Sequence, residues 1–236
     1  MKTFHFNIQA KGGAGKSMLT YLQALKNENN DKVAFVELDS TTKTSKRQLK
    51  FLAEKNRLFE IEIFDKIKQI ERQQLIEVLE DLNSYDFTDI YMDFGATESE
   101  QFINLINIDF NIDEFKSFET ELDAKFVFNV VIAGGTSFAS TFEYLKTLAD
   151  IVNGHFDIIA YANEFTFQHY EQQLTHLQSI VENAKGDIKA LVPFGAIHTD
   201  RSGGHIIITN VKDGKGLAAY TSFSARIIIK REMAKI

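Results

Sequence analysis

Two rhythms of apolar positions take turns along this chain. Thr3 to Gln9 and Lys32 to Asp39 are short runs of strand composition, as expected for strands covered on both faces of a parallel sheet. Between them, Ser17 to Asn29 carries Leu19, Leu22 and Leu25 at helical spacing. Lys46 to Asn56 predicts a short helix. Asp65 to Leu82 predicts a longer one, with Ile67, Ile70, Leu75, Val78, Leu79 and Leu82 as a stripe on a charged background. Further strands are predicted at Thr88 to Phe94, Lys125 to Ala133, His155 to Asn163 and Ile188 to Phe194. Helices are expected at Glu98 to Asp123 with a break near Asn111, at Ser137 to Val152 and at Phe167 to Ala184. After Gly203, the run from His205 to Thr209 fits either a strand or a helix, and Leu217 to Lys235 predicts a final helix.

Strands alternating with helices imply an α/β fold of three layers, a parallel sheet with helices on both faces. The 236 residues are enough for one well-buried domain. Pro193 is the only proline, and no linker, repeat or low-complexity tract interrupts the pattern, so one domain over residues 1–236 is expected. The absence of cysteine rules out disulfides, thiolate metal sites and cysteine nucleophiles. No apolar run approaches the roughly 18 residues of a membrane span. The first ten residues do not read as a signal peptide, because a glycine-rich loop follows at once. A cytoplasmic location is therefore expected.

The net charge of −7 gives no overall basic footprint for nucleic acid. It is unevenly spread: Lys185 to Ile236 holds nine Lys and Arg against four Asp and Glu, which leaves the rest of the chain strongly acidic. A local anionic partner for the C-terminal part is one reading of that asymmetry, and a solvated charged face is the other.

The densest chemistry lies in Gln9 to Met18, QAKGGAGKSM. The ordinary phosphate-loop pattern would need glycine at position 10, where Ala10 stands. The variant Lys-Gly-Gly-x-Gly-Lys-Ser fits Lys11 to Ser17 throughout. In either form, N–H groups of a glycine-rich turn and a helix N-terminus surround phosphates with aligned dipoles. Glycine allows close approach or positive φ. Gly12, Gly13, Ala14, Gly15, Lys16, Ser17 and Met18 are the candidate contacts. Lys16 would reach the β- and γ-phosphates, and the Ser17 hydroxyl would bind Mg²⁺. A strand before the loop and a helix after it are the context of a P-loop NTPase fold.

These residues resemble the deviant Walker A motif of the ParA/MinD ATPases. The resemblance implies an ATP-sandwich dimer in which Lys11 reaches the nucleotide of the partner subunit. A second cation there would neutralise the transferring phosphoryl group as an arginine finger does. It also implies that Asp39, at the end of the second strand, positions the attacking water and stands near the metal. Glu37 takes the place of the family's first acid, and Ser40 and Thr41 replace its usual Pro-Gln. Asp93 matches the Walker B aspartate, which holds Mg²⁺, commonly through water. The family often continues this aspartate with x-Pro-Pro, and Asp93-Phe94-Gly95-Ala96 looks more like the plasmid stability and conjugative-transfer (StbB/TraL-like) branch. Asn163 matches the family's adenine-binding asparagine, with Pro193 to Ile197 placed to line the base pocket from the other side. The glycine turn from Ile132 to Phe138 corresponds to a region that faces the partner subunit in the family, and reads equally as a plain turn.

The leading expectation is a Mg²⁺-dependent ATPase that binds ATP and ADP. It would act as an ATP-controlled homodimer switch in plasmid or chromosome partition or in conjugative transfer. Hydrolysis would be slow and stimulated by a partner protein. Non-specific DNA binding would use Arg201, Lys212, Lys215, Arg226, Lys230 and Arg231, and would weaken steeply with salt. A second expectation is a MinD-like membrane-cycling ATPase, since Ser224 to Ile236 is basic and apolar. A third is a metabolic enzyme on the same scaffold. Relatives that carry an iron cluster need cysteines, which are absent here. His5 reads as a structural strand residue.

Overall fold

The computed structural model describes residues 1–38, 47–65, 69–184 and 186–236. Its centre is a seven-stranded sheet in the order β3-β2-β4-β1-β5-β6-β7, every neighbouring pair parallel. The strands are β1 (Lys2–Ile8), β2 (Val33–Glu37), β3 (Leu58–Glu60), β4 (Asp89–Asp93), β5 (Ala124–Ala133), β6 (Asp157–Asn163) and β7 (Ile188–Phe194). The helices are α1 (Lys16–Lys26), α2 (Lys50–Ala53), α3 (Arg72–Ser84), α4 (Ala96–Asn104), α5 (Ile112–Glu121), α6 (Phe138–Val152), α7 (Glu164–Phe167), α8 (Glu171–Asn183), α9 (Ser202–Asp213) and α10 (Phe223–Lys235).

Strand alternation sorts the side chains into two cores. Phe4, Phe6 and Ile8 of β1 face the layer containing α3, α4, α5, α6 and α8. Phenylalanines dominate there: the Phe6 and Phe128 ring centroids are 5.2 Å apart, and those of Phe115 and Phe126 are 5.4 Å apart. The opposite layer is α1, α2, α9 and α10, packed on Phe35, Val131 and Tyr161. Because both faces are covered, β5 is buried along nearly its whole length, which explains its unbroken apolar run.

The sequence expectations hold for six strands and most helices, with two differences. The three-residue edge strand β3 is additional. The helix expected from Asp65 begins only at Arg72; before it, Phe64 and Ile70 pair across an isolated antiparallel bridge. The break near Asn111 is real. A π-helical turn at Leu105–Asp109 ends α4, and Asn111 opens α5 with a capping box to Glu114. The His205 to Thr209 run is helical. His5 is structural: it stacks on Tyr91 at 4.3 Å and its Nε2 lies 3.1 Å from Asp89 Oδ1. No helix among the described residues is long and apolar enough to cross a membrane.

Helix α1 is held against the C-terminal layer by Tyr21. Its hydroxyl donates to the Lys215 carbonyl at 2.6 Å and lies 2.7 Å from the Tyr220 hydroxyl. Burial raises the Tyr21 phenol well above its ordinary value, and pushes that of Tyr220 up to about 12. The folded chain therefore holds phenolic protons that the unfolded chain releases from about pH 10 upward. Stability from these groups is fully present below about pH 10 and is lost as pH rises towards 12. A Tyr21→Phe, Tyr220→Phe double variant is expected to flatten that alkaline fall in thermal midpoint; an unchanged slope would refute it.

Candidate functional site

The first chain crossing places the glycine loop at the middle of the sheet. β1 lies between β4 and β5, and the chain departs to β2 on one side and later to β5 on the other. The carboxyl ends of strands at such a switch point are where ligands bind open α/β sheets.

The loop turns on two glycines. Gly13 has φ +76° and Gly15 φ +114°, conformations that L side chains rarely adopt. Gly12 does not have that constraint. A Cβ on Gly12 or Gly13 would meet no atom within 4 Å, so both border open space. At Gly15 a Cβ would lie 2.5 Å from Asn163 Nδ2. Gly15 is the N-cap of α1, and among the described residues no side chain caps that end. Its N–H groups and positive dipole end are thus available to an anion.

The two lysines point to different tasks. Lys16 is buried at 9% exposure, and its Nζ donates to the Gln9 carbonyl at 2.6 Å, over the first turn of the loop. Lys11 is exposed, and its backbone N–H donates to Gln9 Oε1 at 3.1 Å. Ser17 and Met18 stand half-buried in the first turn of α1, with Met18 packed on the α1-side core. Ala14 is buried, and its carbonyl accepts from Asn163 Nδ2 at 2.9 Å.

Asp93 ends β4, buried and in register with Asn7 on one side and Glu37 on the other. Residues paired across parallel strands share a face, so both acids lie on the α1 side with Asn7. Among the described residues, no group of three His, Cys, Asp or Glu is placed to hold a metal. Mg²⁺ does not need one, because it is usually held by one or two carboxylates with substrate phosphates. Ser17 and Asp93 are donors of the right type on adjoining elements. Asp39 lies outside the described residues, as do Ser40 and Thr41.

On the base side, Asn163 is 9% exposed and wedged between two loops. Its amide holds Ala14, and a Cβ on Gly195 would sit 3.0 Å from its Oδ1. The Phe194 ring reaches to 3.6 Å of a Cβ built on Gly15. Gly15, Asn163, Phe194 and Gly195 therefore converge, which brings together three regions that the sequence places far apart. The glycine turn after β5 packs on its own chain: Gly134 N–H donates to Thr166 Oγ1 at 2.7 Å and Gly135 N–H to Gln173 Oε1 at 2.8 Å.

Sequence reasoning missed Gln9 and the polar row beneath α1. Gln9 Nε2 donates to the Val131 and Thr141 carbonyls at 2.8 and 3.1 Å, and its N–H to Ser99 Oγ at 3.1 Å. Asn7 Nδ2 donates to Thr20 Oγ1 at 2.9 Å and Gln23 Oε1 at 2.7 Å, and Asn129 Nδ2 donates to Asn7 Oδ1 at 2.8 Å. The available signal was polar residues inside otherwise apolar central strands, where a buried polar group needs partners.

No family model matches the chain, and no curated protein matches it in sequence. Solved structures match it in fold. The MinD cell division protein of Aquifex aeolicus has a TM-score of 0.54 at 14% identity, over 99% of this chain and 95% of that one. A ParA family ATPase from Chlorobium tepidum TLS has a TM-score of 0.51 at 13% identity, over the whole of both chains at 100%. The MinC:MinD cell division protein complex of Aquifex aeolicus gives 0.50 at 15%, over 99% and 94%. The protein has the P-loop NTPase fold. Its structural neighbours within that fold include a MinD cell division protein and a ParA family ATPase.

Proposed function

We propose that this chain is a Mg²⁺-dependent ATPase that acts as an ATP-controlled homodimer switch. The observation that carries the reading is the loop from Lys11 to Ser17. It stands at the sheet's switch point, with two glycines at positive φ, one lysine folded over it and one lysine projecting from it. The N–H groups of Gly12 to Ser17 bind the phosphates, and Lys16 neutralises them. Exposed Lys11 extends to the nucleotide of the second subunit. Ser17 and Asp93 hold Mg²⁺, which when bound screens the charge on the phosphate oxygens. Asp39 orients the attacking water, and Asn163 with Phe194 and Gly195 flanks the adenine.

The process served is plasmid or chromosome partition or conjugative plasmid transfer, with slow hydrolysis stimulated by a partner protein in the cytoplasm. One domain carries these functions. In light scattering, wild type is expected to dimerise with ATP and Mg²⁺. Lys11→Ala is expected to stay monomeric while nucleotide affinity changes by no more than about threefold. A wild-type monomer at saturating ATP would sink the switch.

The outer face of α10 sets the further partner. Phe223 and Ile227 are exposed at 71% and 50%, beside exposed Arg226, Lys230 and Arg231. Non-specific DNA suits the cations; a membrane-cycling role suits the apolar pair. Ala225 and Ile229 are buried against the body of the protein, which opposes release of the whole helix and favours DNA. Raising salt is expected to release DNA steeply; retention on anionic vesicles under the same conditions would reverse that preference.

A further inference from the structure

A carboxylate on the last helix braces the base side of the site. Glu232 of α10 is 0% exposed. Its Oε2 accepts from the N–H groups of Gly195 at 2.9 Å and Ala196 at 3.3 Å. Lys235 Nζ lies 3.1 Å from both Glu232 oxygens and also pairs with the Glu164 carboxylate. Arg231 Nε reaches Glu232 Oε1 at 3.3 Å, and its Nη2 reaches the Ala196 carbonyl at 3.4 Å. Glu164 directly follows Asn163, and on the other side a Cβ on Gly195 would lie 3.0 Å from Asn163 Oδ1. One ion cluster on α10 therefore holds both segments that flank Asn163.

Packing alone does not call for a carboxylate there. Ala225 and Ile229 fill the preceding buried positions of the same face, and an apolar residue would continue it without the cost of burying a charge. What a carboxylate adds is one oxygen that accepts from two main-chain N–H groups, in a loop that turns at Gly195 with φ +77°. An apolar side chain would leave those donors unpaired.

We propose that Glu232 is the positioning residue of the nucleobase pocket. It presets the Gly195–Ile197 loop and, through Lys235 and Glu164, steadies Asn163. Recognition of the base of a nucleoside triphosphate thus depends on the C-terminal helix, whereas recognition of the phosphates does not. This rests on the nucleotide-binding reading above.

Calorimetric titration of the full chain with ATP and with inorganic tripolyphosphate, both with Mg²⁺, separates the two. Glu232→Ala is expected to weaken ATP by about tenfold and to leave tripolyphosphate within about twofold. Glu232→Gln keeps an acceptor and should fall between it and wild type. Lys16→Ala should weaken both ligands. Equal loss of both ligands, or loss of neither, in Glu232→Ala overturns the proposal and leaves nucleotide binding standing. A wild-type chain that binds neither ligand overturns the nucleotide reading, and the proposal with it. If Glu232→Ala does not fold, Glu232→Gln decides: a selective loss of ATP supports the proposal, and its absence overturns it.

Discussion

Gly15→Val is expected to abolish nucleotide binding. Two independent obstacles coincide at this position. The backbone has φ +114°, outside even the left-handed region that side-chain-bearing residues visit, so a non-glycine residue costs roughly 1–3 kcal/mol in strain alone. The new Cβ would also lie 2.5 Å from Asn163 Nδ2. That contact drives the Asn163 amide away from the Ala14 carbonyl, which it holds at 2.9 Å. Relaxing either strain turns the N–H groups of the loop and of the first turn of α1, and an anion site made of aligned donors is lost when they no longer converge. Affinity for a fluorescent ATP analogue should fall by about a hundredfold or more, the equivalent of two charge-assisted hydrogen bonds. Gly12→Ala is the matched control. It faces open space without a left-handed φ, so its folding stability should stay within about 0.5 kcal/mol of wild type. Any loss of ATP affinity in that variant then reports the ligand side of the loop. A Gly15→Val protein with wild-type affinity would show that phosphate binds elsewhere.

The loop was legible in the sequence because its requirements are local. A strand, glycines that permit unusual φ, and a helix with leucines at regular spacing all declare themselves within thirty residues. Asp93 was legible for the same reason, as an acid closing an apolar strand. The order of the strands was less so: β4 enters between β1 and β2, and nothing in its own residues states that neighbour. β3 went unseen because three residues carry no period, and Leu58 and Phe59 are only half-buried. The start of the helix expected from Asp65 was misleading because Ile70 stands eight residues before Val78, a helical spacing, yet Ile70 pairs in a bridge with Phe64. The ambiguity at Ile206 to Ile208 was settled by close approach. A Cβ on Gly204 would meet the His198 carbonyl at 1.9 Å, and one on Gly203 would crowd Ser224 and Ile228 at 3.1 Å. Helix α9 packs through its glycines, a contact that hydrophobic periodicity does not record.

The long-range parts of the site stayed hidden for a related reason. Asn163 could be singled out by position, but its bond to Ala14 spans the fold. Glu232 reads as one more charge in a basic helix, and only its burial against Gly195 distinguishes it from Arg226 or Lys230. Gln9 is the same case: a polar residue at a strand end, whose bonds to Val131, Thr141 and Ser99 link β1 to the next strand and to the helices on the opposite face. Such groups are costly to bury unpaired, so the folded partners explain the residue, and the residue alone does not name the partners.

Arg57→Met is expected to be the most damaging change to stability at this edge of the sheet. Arg57 is 2% exposed and immediately precedes β3. Its Nη1 donates to the carbonyls of Asn27 at 3.0 Å, Asn30 at 2.5 Å and Val33 at 3.1 Å, and its Nη2 to that of Glu28. Asn27 and Glu28 follow the last turn of α1, where a helix leaves carbonyls without internal partners and the dipole favours a cation. Burial lowers the guanidinium pKa, opposed by the nearby Asp31 and Glu28 carboxylates; an arginine still carries its charge at neutral pH. Methionine fills much of the same volume but donates nothing, so several carbonyls lose their partner at once. The expected loss is about 3 kcal/mol by urea denaturation. The exposed Lys32–Asp86 pair, with side chains 52% and 95% accessible, should cost far less when broken, because solvent screens it. Arg57 also fixes the register of the edge, because its own carbonyl accepts from Phe35 N at 2.9 Å. β3 buries too little side chain to stay in place alone, so the amides of Leu58 to Glu60 should exchange early in the variant, ahead of global unfolding. Wild-type exchange at β3 together with a loss below about 1 kcal/mol would mean that water replaces the guanidinium at little cost.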